Sequence, residues 1–246
     1  MVTDTEGLVL RQIKAVNGRR MVVILTKRYG KISAGASISE GGKNKTALAL
    51  RPFTYGRYEL FKGRETFSIN GAETLQSFYA IGENVEKYMC ASYALELTDR
   101  MAAEEQPQHA LLALLKDFLE LLDGRKSAFG TLLIGFQMKA LQLAGCAPQL
   151  DRCMRCGADE NLTAFSVADG GTVCGACLEG SPADPLVFEL GADQLAALRY
   201  MAAHHISALK GIGLNEDAEK RLRRLFKAYI AYHLGIEDLK SESLVM

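Results

Sequence analysis

The sequence has few of the residues from which enzymes usually build reactive centres. Its 246 residues include four histidines, His109, His204, His205 and His233. It contains no Gly-x-x-x-x-Gly-Lys phosphate loop, no Gly-x-Ser-x-Gly nucleophile elbow and no His-Glu-x-x-His pair. An enzyme is therefore not expected. Long apolar runs are missing as well: Ala110 to Leu115 is among the longest, far short of the ~18 residues that a membrane span requires. No apolar stretch follows a basic start, so a cytoplasmic protein with no membrane partner is expected. No repeat or low-complexity segment occurs. A chain of 246 residues is too long for a disulfide-stapled miniprotein, and 48% apolar content can fill a core in one large or two modest domains.

Net charge is also absent, with 29 Lys and Arg against 29 Asp and Glu. The balance hides an asymmetry. Residues 1–70 carry 13 Lys or Arg and 5 Asp or Glu, leaving +8, and the remainder carries the compensating −8. A basic front end on an acidic body is expected where only the front end meets a polyanion; the alternative is a soluble domain that is simply basic.

The apolar periodicity divides the chain at a similar place. Up to about residue 70 it predicts short strands: Gly7–Arg11, Met21–Thr26, a glycine-punctuated stretch, Phe53–Phe61 and Glu65–Ile69. Four or five such strands suggest a small barrel. After Gly71 the spacing becomes helical. It predicts helices over 74–103, over 107–123 with Pro107 in the first turn, over 127–144, 191–205 and 215–234.

What the chain does have is a concentration of cysteine. Cys153, Cys156, Cys174 and Cys177 form two Cys-x-x-Cys pairs separated by 17 residues. Each such turn offers two thiolates from one side, and a spacer of this length lets a short hairpin, with Phe165–Val167 and Thr172–Val173 as arms, bring the turns together. The spacing predicts one tetrahedral zinc, with a redox dithiol or unrelated thiols as the alternatives. Four thiolates leave no open coordination position, so such a zinc is structural. Cys90 and Cys146 are expected to be core residues.

Taken in order, the landmarks resemble those of the RecO family, the bacterial recombination mediators. They are Gly7-Leu-Val-Leu10, Leu50-Arg-Pro-Phe53, Phe136-Gln-Met-Lys-Ala-Leu141, Gly145-Cys-Ala-Pro148, the two cysteine pairs with Gly157 and Gly170-Gly171, and Tyr232-His-Leu-Gly235. The resemblance implies an α+β multidomain fold. An N-terminal OB-fold β-barrel would occupy residues 1–75, and a C-terminal all-α domain residues 76–246, with a four-cysteine zinc module inserted at 150–182. It also implies a DNA repair protein that binds single- and double-stranded DNA, anneals complementary strands and helps load RecA on strands coated with single-strand-binding protein. RecR, and in some bacteria RecF, are the implied partners.

An OB barrel holds single strands with a cationic groove and exposed aromatic rings. The front end offers Arg19, Arg20, Lys27, Arg28, Lys31, Lys43, Lys45, Arg51 and Arg57 for phosphates, and Tyr29, Phe53, Tyr55 and Tyr58 as rings. Strand alternation puts Phe53, Tyr55 and Arg57 on one face and Tyr58 on the other. Lys220, Arg221, Arg223, Arg224 and Lys227 form a second basic cluster, either a solvated helix face or an auxiliary DNA surface. The resemblance further implies a site for the acidic, hydrophobic-ended tail of single-strand-binding protein. A pocket between residues 110 and 145 with Arg125, Lys126 or Lys139 at its rim is expected. Two other readings remain: a zinc-dependent enzyme acting on nucleic acid with His204 and His205 near the site, and a scaffold whose basic front meets an acidic protein.

Overall fold

The computed structural model describes residues 2–14, 19–37, 45–64, 66–179 and 182–242. The chain divides into two compact units, residues 1–124 and 125–246.

In the first unit β1 (Val2–Lys14), β2 (Arg19–Thr26), β3 (Gly30–Ser37), β4 (Thr54–Lys62) and β5 (Phe67–Ser77) form a closed barrel in the order β1-β2-β3-β5-β4. All pairings are antiparallel except β3 with β5, which run parallel. Valine, isoleucine and tyrosine are the residues that suit a pleated surface. Here Val9, Val22, Ile24, Ile32, Tyr58, Leu60, Phe67 and Ile69 fill the interior. The short helix α1 (Lys45–Ala49) lies between β3 and β4. Its end is tied to the barrel by Tyr58 Oη donating to the Ala49 carbonyl at 3.0 Å and by Gln12 donating to the Leu50 carbonyl.

The unit does not end with the strands. A 3-10 turn (Tyr79–Glu83), α2 (Val85–Met101) and α3 (His109–Gly124) belong to it. Arg11 meets Asp99 at 2.6 Å, Lys31 meets Asp99 at 3.5 Å and Glu104 at 3.2 Å, and Lys62 meets Glu105 at 2.8 Å. The change from strand to helix near residue 78 is thus a change of secondary structure, while the compact unit continues for two more helices.

Three sequence expectations need correction. Residues 74–77 complete β5 and 79–83 form the 3-10 turn, so the expected 74–103 helix starts only at Val85. Helix α3 starts at His109, so Pro107 precedes its first turn. Cys146 lies in the turn after α4 and is half-buried, whereas Cys90 is buried as expected.

The second unit is organised around α4 (Phe129–Leu143), from which Leu132, Leu133, Ile134, Phe136, Met138 and Leu141 are buried. It packs against α6 (Ala192–Ala203), a second 3-10 turn (Ile206–Gly211) and α7 (Glu216–Leu234). Between α4 and α6 the chain makes a three-stranded sheet in the order β7-β6-β8, from β6 (Leu162–Ser166), β7 (Gly171–Cys174) and β8 (Val187–Glu189), with the short helix α5 (Gly175–Leu178) following β7. The hairpin arms therefore start earlier than Phe165 and stop before Val167. No helix among the described residues is long and apolar enough to cross a membrane.

Candidate metal centre and nucleic-acid surface

The β6–β7 hairpin brings the two cysteine turns together. Leu162 pairs with Cys174 and Phe165 with Thr172 across it. The first turn is closed by the Cys153 amide donating to the Ala158 carbonyl at 2.6 Å and the Gly157 amide to the Cys153 carbonyl at 2.9 Å. Gly157 has φ +81°, a conformation that side-chain-bearing residues rarely adopt, which explains a glycine directly after Cys156. The Met154 amide donates to the Thr172 carbonyl at 2.9 Å, fixing this turn against β7.

The ligand atoms of Cys153, Cys156, Cys174 and Cys177 all lie within 4.8 Å of one another, and Cys156 and Cys174 are 3.6 Å apart at sulfur. A tetrahedral site with Zn–S bonds of ~2.3 Å places sulfurs about 3.8 Å apart, so the spacing suits zinc. The environment favours thiolate at Cys153. Burial alone would push its pKa up, but the amides of Cys174, Cys156 and Arg155 outweigh burial and bring it down to about 6. Cys177 is pushed the other way by its hydrogen bonds to Cys156 and Cys174. These four residues could hold one metal ion. The cluster includes no histidine, and His204 stacks on Tyr200 at 4.0 Å while His205 faces Ser207 at 2.9 Å.

Arg155, which the spacing of the cysteines did not single out, ties the module together. Its Nε donates to Asp169 in the hairpin turn at 2.9 Å, and its Nη1 donates to the Cys177 carbonyl in the second cysteine turn at 3.1 Å. On the far side, His233 Nε2 lies 2.8 Å from the Val167 carbonyl and holds the hairpin to α7.

The cations expected at a nucleic-acid surface fall into two groups on the barrel. Arg19 and Arg20 begin β2, and Arg20 pairs across the sheet with Lys14 and Ala36. Lys45 begins α1, and Arg51 follows Leu50, whose carbonyl accepts from Gln12, two residues from Lys14. Lys27 lies at the opposite end of β2, roughly 23 Å from Arg20 at ~3.3 Å per residue. The two groups therefore form separate surfaces. Lys43 lies outside the described residues.

The Lys27 group is occupied by acids. Lys27 donates to Glu6 at 2.5 Å, Tyr55 Oη donates to the same carboxylate at 2.6 Å, and Arg57 lies 3.7 Å from it and 3.8 Å from Glu73. Arg28 donates to Thr3 Oγ1 at 2.6 Å. The Lys31 side chain is only 12% exposed, held by Asp99 and Glu104. Among the described residues, by contrast, Arg20 and Arg51 have no acidic partner, and Arg51 is exposed.

Tyr55 and Arg57 share one face of β4, where both reach Glu6, and Tyr58 lies on the other, as alternation predicts. Both tyrosines are nevertheless buried: Tyr58 fills the barrel interior, and Tyr55 (7% exposed) is covered on the outer face by Lys27 and Lys116, whose ammonium groups lie 6.0 and 5.5 Å from its ring, while the register shift beside it leaves Leu75 of β5 as the extra residue. Tyr29 packs its ring 5.2 Å from Phe67. Phe53 lies just before β4 and meets Tyr88 edge-on at 5.8 Å. Sequence periodicity gave no reason to single out Tyr79 and Tyr88, which are exposed.

The residues expected at a tail pocket do not converge. Arg125 is a clamp: it donates to the carbonyls of Ser127 at 2.7 Å, Leu209 at 2.8 Å and Lys210 at 3.2 Å, and to that of Ile212. Lys126 is exposed beside it. Lys139 sits ten residues along from the start of α4, or ~15 Å at 1.5 Å per residue. Its Nζ donates to the Ala202 carbonyl at the C-terminal end of α6 at 2.8 Å, next to Gln142 at 2.9 Å, and burial lowers its pKa. In the other basic cluster Lys220, Arg221 and Arg224 are exposed on α7, Arg223 is bound to Glu219, and Lys227 meets Glu242 at 3.2 Å.

Residues 1–78 match the family model for the N-terminal part of recombination protein O, and residues 82–243 match the model for its C-terminal part. The chain belongs to the RecO family. The change from one model to the other falls where β5 gives way to the 3-10 turn. RecO relatives cover the same span. The DNA repair protein RecO of Alkaliphilus metalliredigens is 31% identical over 98% of this chain and 97% of its own length. That of Myxococcus xanthus is 33% identical over 94% and 92%, and that of Anaeromyxobacter dehalogenans 31% identical over 93% and 90%. The family carries out DNA repair and recombination.

Proposed function

We propose that this RecO-family chain is a recombination mediator that works by binding and rearranging other molecules, without chemical turnover. It binds single- and double-stranded DNA, anneals complementary strands and helps load RecA on strands coated with single-strand-binding protein. RecR, and in some bacteria RecF, act with it in the nucleoid-bearing cytoplasm. The observation that carries this reading is the Arg19, Arg20, Lys45 and Arg51 end of the barrel, where Arg20 and Arg51 have no acid to neutralise them among the described residues. A five-stranded barrel with a helix between its third and fourth strands supports the OB-fold assignment, and such barrels bind strands along a cationic groove.

Zinc held by Cys153, Cys156, Cys174 and Cys177 would supply cohesion to the hairpin and its two turns, since thiolate–zinc binding is coupled to local folding. Four thiolates fill the tetrahedron, so this metal would have no position for water or substrate. On the same unit Lys139 is the cation proposed to face the terminal carboxylate of the single-strand-binding-protein tail, because Nζ keeps donors beyond the one given to Ala202. Arg125 and Lys126 stand in the preceding loop, Arg125 with its donors already committed to carbonyls.

The deciding experiment is annealing of complementary strands precoated with the cognate single-strand-binding protein. Acceleration by stoichiometric amounts of this chain is expected. No acceleration, or acceleration at catalytic amounts with covalent change in the DNA, would refute the mediator reading.

A further inference from the structure

Beside the Arg51 end of the barrel, outside its strands, the first unit exposes two tyrosine side chains, one of which packs on a half-buried phenylalanine. Tyr79 is 66% exposed and Tyr88 45%, with Val85 at 73% between them in sequence. Val85 and Tyr88 are three residues apart on α2 and so share a face. Phe53 joins them, its ring 5.8 Å from that of Tyr88 at 74°. The Phe53 carbonyl accepts from the Phe78 amide at 2.9 Å, and Phe78 is buried, so the residue preceding Tyr79 is anchored to the backbone of Phe53.

Two features distinguish this group from ordinary surface apolar residues. Phe53 has φ +64°, a backbone conformation that is unfavourable for a bulky side chain. The turn that imposes it also carries Arg51, two residues earlier, exposed and without an acidic partner among the described residues. Exposed rings, with a cation two residues from Phe53 in the same segment, supply the two components of single-strand binding, in which bases stack and phosphates are neutralised. Glu83 and Glu86, both exposed nearby, would repel phosphates on this side, so the contact there must be with base faces while the phosphates turn toward Arg51.

We infer that Tyr79, Tyr88 and Phe53 form a base-stacking ledge for single-stranded nucleic acid, which extends the barrel's binding surface from Arg51 onto the 3-10 turn and α2. The inference rests on the DNA-binding reading of the barrel. It assigns the ledge a contribution that is independent of salt, because stacking releases no counterions, whereas the cations supply the salt-dependent part.

The sequence contains no tryptophan, so Tyr79→Trp in the full chain creates a single fluorophore that reports on the ledge alone. Titration with an oligo-dT strand should quench it, while Tyr232→Trp, exposed on α7, should not respond. Tyr79→Ala combined with Tyr88→Ala should weaken oligo-dT binding by roughly tenfold or more, from ~1 kcal/mol or more per stacked base, with the salt slope unchanged. Phe at both positions should restore affinity. If the parent chain binds oligo-dT but Tyr79→Trp is not quenched and the double alanine variant binds as well as the parent, the ledge is wrong and the barrel reading survives. A protein partner would then be the occupant to seek. If the parent chain binds no oligo-dT, both fall.

Discussion

Arg155 donates to Asp169 at 2.9 Å and so joins the first cysteine turn to the tip of the β6–β7 hairpin, while the same guanidinium reaches the Cys177 carbonyl of the second turn. The two cysteine pairs are therefore aligned by a polar strut as well as by any metal they hold. Arg155 is partly exposed, and exposed ion pairs contribute little. Arg155→Ala should cost about 0.5–1 kcal/mol of stability and leave metal content at about one zinc per chain.

Removing a ligand should act much more strongly. Cys153→Ala or Cys174→Ala should abolish zinc binding and lower stability by at least ~2 kcal/mol, or ~4–8 °C in melting temperature for a chain of this size. Elemental analysis and calorimetry on protein purified under reducing conditions would check both. Parent protein with no zinc, or a fully stable Cys153→Ala variant, would contradict the metal centre.

If roughly four to six phosphates are neutralised, the single-strand salt slope should be about −3 to −4. Arg20→Ala and Arg51→Ala should each flatten it by less than one unit. Lys31→Ala should leave the slope unchanged and instead cost about 1–2 kcal/mol of stability, since its ammonium is committed to Asp99 and Glu104. Fluorescence anisotropy over a salt series would read the slopes, and a flattened slope in Lys31→Ala would return that residue to the DNA surface.

The Glu6 carboxyl should titrate at about 2, held down by the hydrogen bond from Lys27, then by that from Tyr55, with burial opposing both. Its folded value is depressed below the ~4.3 of an unfolded chain. The stability it contributes is therefore fully present above about pH 4.3 and is lost as pH falls toward 2. Tyr55→Phe should raise the midpoint in a carboxyl NMR titration. A parent midpoint near ~4.3 would show that the Glu6–Lys27–Tyr55 cluster is not formed in solution.

Lys139→Ala should weaken binding of a single-strand-binding-protein tail peptide by ~1 kcal/mol or more and leave naked-DNA affinity unchanged. Lys139→Arg should retain the peptide. A variant that only loses stability, with peptide affinity intact, would reduce Lys139 to a cap on the α6 carbonyl of Ala202.

The sequence by itself determined whatever depends on neighbours within about twenty residues. Two Cys-x-x-Cys turns on a short hairpin are a local construction, so their spacing predicted the cluster that the structure forms. The apolar pattern of Met21–Thr26 predicted a strand, and that of 215–234 a helix ending at Gly235, because side-chain period follows backbone geometry. Residues 74–84 escaped this logic, since β5 runs through them to Ser77 by pairing with β4, a partner the local pattern does not name. Only the tertiary structure decided which charges are available. Lys31 and Arg51 are alike in sequence, yet one reaches a backbone carbonyl 68 residues away and two carboxylates, while the other stands exposed. The same holds for the rings: alternation put Tyr55 and Tyr58 on opposite faces, yet both are buried, because Glu6, Lys27 and Lys116 cover Tyr55 from outside, whereas Tyr79 and Tyr88 are left exposed. A strand's period is set by its own backbone, whereas the partner of a charge or the exposure of a ring is set by what folding brings beside it.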